Sequence, residues 1–250
     1  MSRGVLVTGA SRGIGRAVAL AFAARGDRVA VHYGHNAADA EETLKALPGE
    51  GHVLISGDLA DPEAVRRIAD AAEAGLGGVD VLVNNAAVAT SAETAHPVDG
   101  VSYVDWQRIW RRTVDVNLVG AANLGYCVAR HLIGRGAPGR IVNIGSRGAF
   151  KGEPDHPAYG ASKAALHAFG QSLAVSLAPH GISVTSVAPG FTATERVAGR
   201  IDDTLRAQSP FGRVGTPEEV AAAVVYLASA EATWASGAIL DLNGASHLRM

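Results

Sequence analysis

Gly4-Val5-Leu6-Val7-Thr8-Gly9-Ala10-Ser11-Arg12-Gly13-Ile14-Gly15, near the start of the chain, carries the strongest signal of its architecture. A short apolar run passes directly into three glycines and then into the helical pattern Gly13–Arg25. Gly9 allows a sharp turn off the strand, Gly13 lets a pyrophosphate approach the backbone, and Gly15 lets the helix pack close to the sheet. The helix N-terminus then offers free N–H groups and a positive dipole end to a phosphate. A plain glycine-rich turn is the alternative. The order strand, turn, helix argues instead for a nucleotide-binding turn built from Thr8, Gly9, Ser11, Arg12, Gly13, Ile14 and Gly15.

Outward from this turn, short β-type runs alternate with longer helical patterns. The runs are Gly4–Val7, Arg28–Tyr33, His52–Ser56, Val79–Val83, Arg140–Ile144, Ser183–Ala188 and Ile239–Leu242. The helical patterns are Gly13–Arg25, Ala37–Leu47, Pro62–Ala74, Asp105–Arg135, Tyr159–Ala178 and Pro217–Ala228. Alternation of this kind predicts right-handed crossovers and a parallel sheet with helices on both faces. The strands are almost continuous in Val, Ile and Leu, as burial on both faces requires. The expected fold is α/β: a single Rossmann domain over residues 1–250, with a doubly wound parallel sheet of about seven strands. Asp61-Pro62 and Thr216-Pro217 read as helix starts, and Gly26 and Gly136 as left-handed helix ends. Residues 88–104 and 191–215 lack regular pattern and are expected to be substrate loops, since long loops in compact domains are usually functional.

Bulk properties narrow the class. The chain has 250 residues, 48% hydrophobic and 18% charged, which fits a folded domain and not a disordered one. A formal net charge of -2 gives no pull toward nucleic acid or anionic lipid. Cys127 is the single cysteine, so no intrachain disulfide forms. The apolar run before the glycines is too short for a signal peptide. Val220–Ala230 falls short of the ~18 residues of a membrane span. A cytoplasmic protein is the expectation, with no membrane and no nucleic-acid partner.

The second and third strands should meet the adenosine half of the nucleotide. Asp58-Leu59 follows strand three, where a carboxylate can accept from an adenine amino group; a loop-capping role is the alternative. Strand two ends in Val31-His32-Tyr33-Gly34-His35-Asn36, without Asp or Glu. An acid there would hold a ribose 2′-hydroxyl and repel a 2′-phosphate. Its absence, with Arg12, His35 and Asn36 nearby, favours NADP(H) over NAD(H).

Ser146 follows the fifth strand, where a parallel sheet opens its ligand crevice. Thirteen positions later comes Tyr159, followed by Gly160-Ala161-Ser162-Lys163. Tyr159 and Lys163 are four apart and share one helix face. A phenol titrates near ~10 in water, and an adjacent ammonium and an oxidised nicotinamide both favour its anion. The phenol then serves as an acid–base group nearer neutral pH. Ser146 can hydrogen-bond the oxygen on which charge develops during hydride transfer. Each residue alone is weak evidence; together, downstream of the glycine turn, they make a catalytic set.

Thr8-Gly9-x-x-x-Gly13-x-Gly15, Asn84-Asn85-Ala86, Asn117, Ser146, Tyr159-x-x-x-Lys163 and Pro189-Gly190 appear in this order over nearly the whole chain. In this the chain resembles the classical short-chain dehydrogenase/reductase family. The resemblance implies that Lys163 holds the nicotinamide ribose, that Asn117 holds a water in a proton relay, and that Asn85 and Ala86 flank the cofactor. It implies further that Pro189-Gly190 passes under the nicotinamide, with Thr192 and Thr194 near the carboxamide and phosphates. Asn117 bonding to a helix carbonyl is the plain alternative. Val187–Phe191 and Gly212–Glu219 are most similar to 3-oxoacyl-thioester (acyl-carrier-protein) reductases.

Three positions depart from that pattern. Ala87 stands where the family usually has glycine, the loop before Trp106 is longer, and Leu173–His180 carries no arginine for carrier-protein docking. The preferred substrate is therefore a free small carbonyl compound or secondary alcohol. A homodimer or homotetramer, pairing through the long helix and the Tyr159 helix, is a further implication of the resemblance.

No His-Glu-x-x-His pattern or cysteine pair points to a metal. His96 and His156 read as loop-surface residues that can touch substrate, Cys127 as packing, and Trp106 with Trp110 as core or subunit contacts. Three alternatives accompany the carbonyl-reductase reading. They are a 3-oxoacyl-[acyl-carrier-protein] reductase, a non-catalytic dinucleotide-sensing module, and a sugar-nucleotide epimerase. The sensing module need not keep Ser146, Tyr159 and Lys163 together, and too little chain follows Gly190 for the epimerase.

Overall fold

The computed structural model describes residues 2–199 and 201–249. Its strands are β1 (Gly4–Val7), β2 (Arg28–Tyr33), β3 (Val53–Ser56), β4 (Val81–Asn84), β5 (Gly139–Ile144), β6 (Ile182–Pro189) and β7 (Ile239–Leu242). Its helices are α1 (Gly13–Ala23), α2 (Ala37–Ala46), α3 (Pro62–Leu76), α4 (Tyr103–Val114), α5 (Ala121–Arg135), α6 (Gly148–Lys151), α7 (Pro157–Leu177), α8 (Glu195–Ala198), α9 (Asp203–Arg206) and α10 (Pro217–Leu227). The sheet order is β3-β2-β1-β4-β5-β6-β7, with parallel pairing throughout. This is a single Rossmann-like domain, as the alternation predicts. The direction of winding reverses between β1 and β4, and ligands of such sheets bind outside that switch point.

The pleat divides the core in two. Successive strand residues point to opposite faces. Val5, Val7, Val29, Val31, Val81 and Val83 pack under α1 and α10, with Phe22 and Val224 fully buried. The intervening Leu6, Ala30 and Leu82 face α3, α5 and α7, against Ile68, Leu124, Leu132 and Leu177. Complete burial of such a side chain contributes roughly 1.5–3 kcal/mol.

The expected boundary signals are present. Asp61 caps α3 by accepting from the Glu63 amide (3.0 Å). Thr216 and Glu219 form a capping box at α10, and Gly136 ends α5 in the left-handed conformation.

Some limits differ from the sequence reading. The continuous helix expected over Asp105–Arg135 is α4 and α5 joined by a π-helical turn, Asp115–Gly120. Such a turn inserts one residue into the hydrogen-bond ladder, and no proline or glycine pattern marks it in advance. Helix α7 begins at Pro157, two residues before Tyr159, because proline suits the first helical position. The segment 88–104 contains a short 3₁₀ turn at Ala92–Thr94, and the segment 191–215 contains α8 and α9. A parallel bridge between Thr192 and Gly215 closes the second segment on itself. Arg200, within it, lies outside the described residues. No helix among the described residues is long and apolar enough to cross a membrane.

Candidate active site

The glycine turn is built by contacts from three strands. Thr8 is buried, and its Oγ1 accepts from the amides of Asn85 (2.9 Å) and Ala86 (3.0 Å) and donates to the Val83 carbonyl (3.2 Å). The Asn85 amide group returns two bonds, to the carbonyls of Thr8 (2.7 Å) and Gly9 (3.1 Å). Gly9 has φ +61°, a left-handed conformation that favours glycine. A Cβ on Gly15 would stand 2.3 Å from the Gly9 carbonyl oxygen, so only glycine lets α1 come this close to the turn. Arg12, the N-cap of α1, makes no side-chain cap. The first amides of α1 are therefore left for an anion.

His32 braces this turn from below. Its Nδ1 accepts from the Gly9 amide (3.3 Å) and its Nε2 donates to the Gly57 carbonyl (3.1 Å). Burial pushes the imidazole down to about 4, against the pull of Gly57 and Asp58, so the ring is neutral at physiological pH. One side chain on β2 thus ties the ends of its neighbours β1 and β3 together.

A cavity of about 630 Å³ opens at the carboxyl ends of the strands. Gly9, Ser11, Arg12, Gly13, Ile14 and Gly15 line it beside β1, and His35, Asn36, Asp58 and Leu59 line it beside β2 and β3. Asn85, Ala86, Ser146, Tyr159, Lys163, Pro189, Gly190, Thr192 and Thr194 complete the wall. Two of the sequence candidates stand behind that wall. Thr8 acts through the amides it binds. Asn117, in the π turn, accepts from the Val88 amide (2.7 Å) and donates to the Val88 carbonyl (3.2 Å) and to Ser162 Oγ (3.1 Å). Its partner is a loop backbone, not the helix carbonyl weighed above, and it joins the 88–104 segment to α7.

Asp58 takes the loop-capping role, and its second oxygen is engaged by an arginine. Its Oδ1 caps the Ala60 amide (3.0 Å), while its Oδ2 accepts from Arg112 Nη1 (2.8 Å) on α4. Burial opposes the charge, but Arg112, the Ala60 amide and nearby His35 hold the carboxyl below the usual carboxylate range. At the end of β2, Asn36 donates to Asp39 in the first turn of α2. Arg12 is exposed at the cavity edge.

Around the chemistry, β5 delivers Ser146 and α7 delivers Tyr159 and Lys163. Ser146 Oγ accepts from the Gly148 amide (2.9 Å), which leaves its hydrogen for another oxygen. Lys163 is 2% exposed; Nζ donates to the Ile144 carbonyl (2.7 Å) and lies 5.9 Å from the centre of the Tyr159 ring. Burial pushes this ammonium down to about 8.

The structure adds residues that the sequence reading passed over. His32 is the polar interruption of an apolar strand, a signal that was present. Arg112 reaches Asp58 across 54 residues, with no local sign. Glu153 lines the cavity, and burial raises its carboxyl despite Arg147 nearby. His96 is buried, not on a loop surface. Arg147, buried directly after Ser146, could have been noticed as a cation beside a candidate catalytic serine. Cys127 is half-buried against the core, and burial raises its thiol. Among the described residues, no group of three or more His, Cys, Asp or Glu side chains is arranged to hold a metal.

A family model described as enoyl-(acyl carrier protein) reductase matches residues 9–247. The chain is 38% identical over 247 residues to cis-4-hydroxycyclohexanecarboxylate dehydrogenase of Sinomonas cyclohexanicum, covering 97% of this chain and 95% of that protein. It is 36% identical over 247 residues to 3-oxoacyl-[acyl-carrier-protein] reductase FabG of Escherichia coli (strain K12), covering 97% and 96%. The crystal structure of acetoin dehydrogenase YohF from Salmonella typhimurium superposes with a TM-score of 0.85 at 32% identity, covering 98% of this chain and 96% of that one.

Proposed function

Because the chain belongs to the classical short-chain dehydrogenase/reductase family and is an NAD(P)-dependent oxidoreductase, we propose that it is an NADPH-dependent carbonyl reductase, reversible as a secondary-alcohol dehydrogenase. The observation that carries this reading is the convergence of Ser146, Tyr159 and Lys163 on one cavity wall, with the ammonium 5.9 Å from the phenol ring.

The residues present suit a dinucleotide. The uncapped start of α1 and the glycine turn would hold the pyrophosphate, Asp58 and Leu59 the adenine, and Lys163 the nicotinamide ribose. Asn85 and Ala86 would flank it, Pro189 and Gly190 would lie under the nicotinamide, and Thr192 and Thr194 would meet its carboxamide and the phosphates. When bound, the cofactor supplies the hydride that goes to the carbonyl carbon. Tyr159 gives its phenolic proton to the carbonyl oxygen, so that C=O becomes CH–OH; in the reverse direction its phenolate takes that proton back. The Ser146 hydroxyl donates to the same oxygen as charge develops there. The Lys163 charge favours the phenolate. Asn117 positions the 88–104 segment and α7, and would hold a relay water between them.

NADP(H) is preferred on the absence of an acid ending β2 and on the exposed Arg12 at the cavity edge. Asp39, engaged by Asn36, is the opposing charge at that corner. A free small ketone or alcohol is preferred to a carrier-linked one, because 173–180 holds no arginine to grip an acidic carrier. The similarity to FabG favours a 3-oxoacyl thioester as the second reading. Cys127, a half-buried thiol with no disulfide partner, suits the cytoplasm.

The test follows NADPH and NADH oxidation with acetoin, 4-oxocyclohexanecarboxylate and a 3-oxoacyl thioester. Tyr159→Phe should lower kcat/KM by about 10³-fold or more while NADPH binding changes by less than about threefold. Turnover retained in that variant overturns the assignment, and faster turnover with NADH overturns the cofactor preference.

Assembly is the remaining part of this reading. Tyr103 and Val104 on α4, Tyr126 on α5 and Val175 on α7 are 74%, 73%, 66% and 79% exposed. Large apolar side chains exposed on helices that pack against one another suit an interaction face, and we assign these to a homodimer or homotetramer. A monomer in light scattering at micromolar concentration overturns that assignment.

A further inference from the structure

A second cavity of about 460 Å³ adjoins the first, between the stretch around Gln208 and the C-terminal residues 241–246. Arg147, Phe191 and Thr192 belong to the walls of both. Arg147 is 6% exposed, and its chain position directly follows Ser146. Nη1 donates to Ser246 Oγ (2.7 Å), Nη2 donates to Gln208 Oε1 (2.9 Å), and the guanidinium carbon lies 5.1 Å over the Phe191 ring.

Each of these partners is neutral. Among the described residues, none of the ion pairs includes Arg147. Glu153 is near enough to support its charge, yet that carboxylate is folded over Gly148, where an added Cβ would meet Oε1 at 2.2 Å. Burying a cation whose hydrogen-bond partners are all neutral is costly, and a carboxylate that is near without bonding to it offsets only part of that cost. A guanidinium carries five N–H donors in a planar fork, and two are accounted for here. What remains matches a carboxylate, which takes such a fork at two oxygens.

We propose that the substrate carries a carboxylate, and that Arg147 binds it while the reacting carbon lies against Ser146 and Tyr159. Consecutive residues at the end of β5 then hold the two ends of one molecule: the hydroxyl of Ser146 takes the reacting oxygen, and the guanidinium of Arg147 takes the acid. This deepens the carbonyl-reductase reading and rests on it. The competing account makes Arg147 a strut that holds Ser246 and Gln208 in place and touches no ligand.

Two measurements separate these. The first is kcat/KM with 4-oxocyclohexanecarboxylate relative to its neutral analogue 4-oxocyclohexanecarboxamide, in the wild type, Arg147→Gln and Arg147→Lys. The wild type should prefer the acid by about 30-fold or more, R147Q should bring the ratio within about threefold, and R147K should fall between, since lysine keeps the charge without the fork. The second is the Tm of the NADP⁺-saturated protein with cyclohexanecarboxylate or cyclohexanecarboxamide; only the acid should raise it, and only while Arg147 is present.

A strut lowers both rates together and leaves the ratio unchanged in R147Q, which overturns the proposal. So does a wild type that neither prefers the acid nor is stabilised by it. If the carboxamide ketone is reduced by the wild type and not by Tyr159→Phe, the reductase reading stands while this inference falls. If neither ketone is reduced but the acid-specific shift in Tm is lost in R147Q, the anion site stands and the reductase reading falls.

Discussion

The amide of Ala158 donates to Nε2 of His96 across 3.1 Å, immediately before Tyr159 in the chain. The other ring nitrogen meets the Thr94 carbonyl at 2.7 Å, so Nδ1 carries the hydrogen and Nε2 is the acceptor. The His96 amide donates to the Asp155 carbonyl (2.8 Å), and the ring stands edge-on to Trp106 at 5.4 Å. Amides in the first turn of a helix have no helical acceptor. Here a side chain from the 88–104 segment satisfies one of them at the head of α7. His156 repeats the link, with its Nε2 on the Ser91 carbonyl (3.0 Å). The mouth of the cavity and the helix carrying Tyr159 are thereby one unit.

His96→Ala should destabilise the protein by about 2–4 kcal/mol, from the cavity left and the orphaned amide. It should also lower kcat about tenfold or more, while dinucleotide affinity changes less than about threefold. His96→Gln, whose amide oxygen can replace Nε2 as acceptor, should recover most of both. Urea unfolding, single-turnover kinetics and NADPH titration read these outcomes. An alanine variant with normal kcat would show that the link does not position Tyr159.

His32 gives a pH signature. Its folded value of about 4 lies below the ordinary 6.5, so the unfolded chain takes up the proton first as pH falls. The stability from burying the neutral ring is complete above 6.5 and is lost progressively toward 4, by about 3 kcal/mol in all. The stability difference between wild type and His32→Gln should shrink across that window, measured by urea unfolding at stepped pH. A difference independent of pH would mean that the ring is not held neutral. Subtracting the variant also removes the slope from His167, which burial lowers to about 4 as well.

Lys163 should trade stability for activity. Burial lowers its ammonium from 10.5 to about 8, so below 8 the folded protein carries a buried charge that the unfolded chain keeps in water. Between 8 and 10.5 the unfolded chain binds more protons, and the unfavourable contribution from this group is relieved. Lys163→Met in the ligand-free protein should be more stable than wild type near pH 7 by about 2 kcal/mol, after allowing for the lost bond to Ile144. That gap should close above pH 10.5, while NADPH binding and turnover fall. A methionine variant less stable than wild type at pH 7 would contradict the cost assigned to the buried ammonium.

The alternation of strands and helices, the glycine turn, and the shared helix face of Tyr159 and Lys163 are legible in the chain before it folds. Each is a short-range property. Strand pleat repeats every two residues, helices every 3.6, and residues four apart on a helix are neighbours whatever lies around them. The glycine-turn residues, Tyr159 and Lys163 on the cavity wall were readable for that reason, while Asn85, Ala86, Pro189, Gly190, Thr192 and Thr194 came from the family resemblance. The other contacts form only once distant elements pack together. Arg112 meets Asp58 across 54 residues, Ala158 meets His96 across 62, and Arg147 meets Ser246 across 99. The same packing lets Asn117 hold Val88 from within a π turn. These contacts depend on how separate elements are packed and on which groups burial leaves without water, and no local periodicity encodes either.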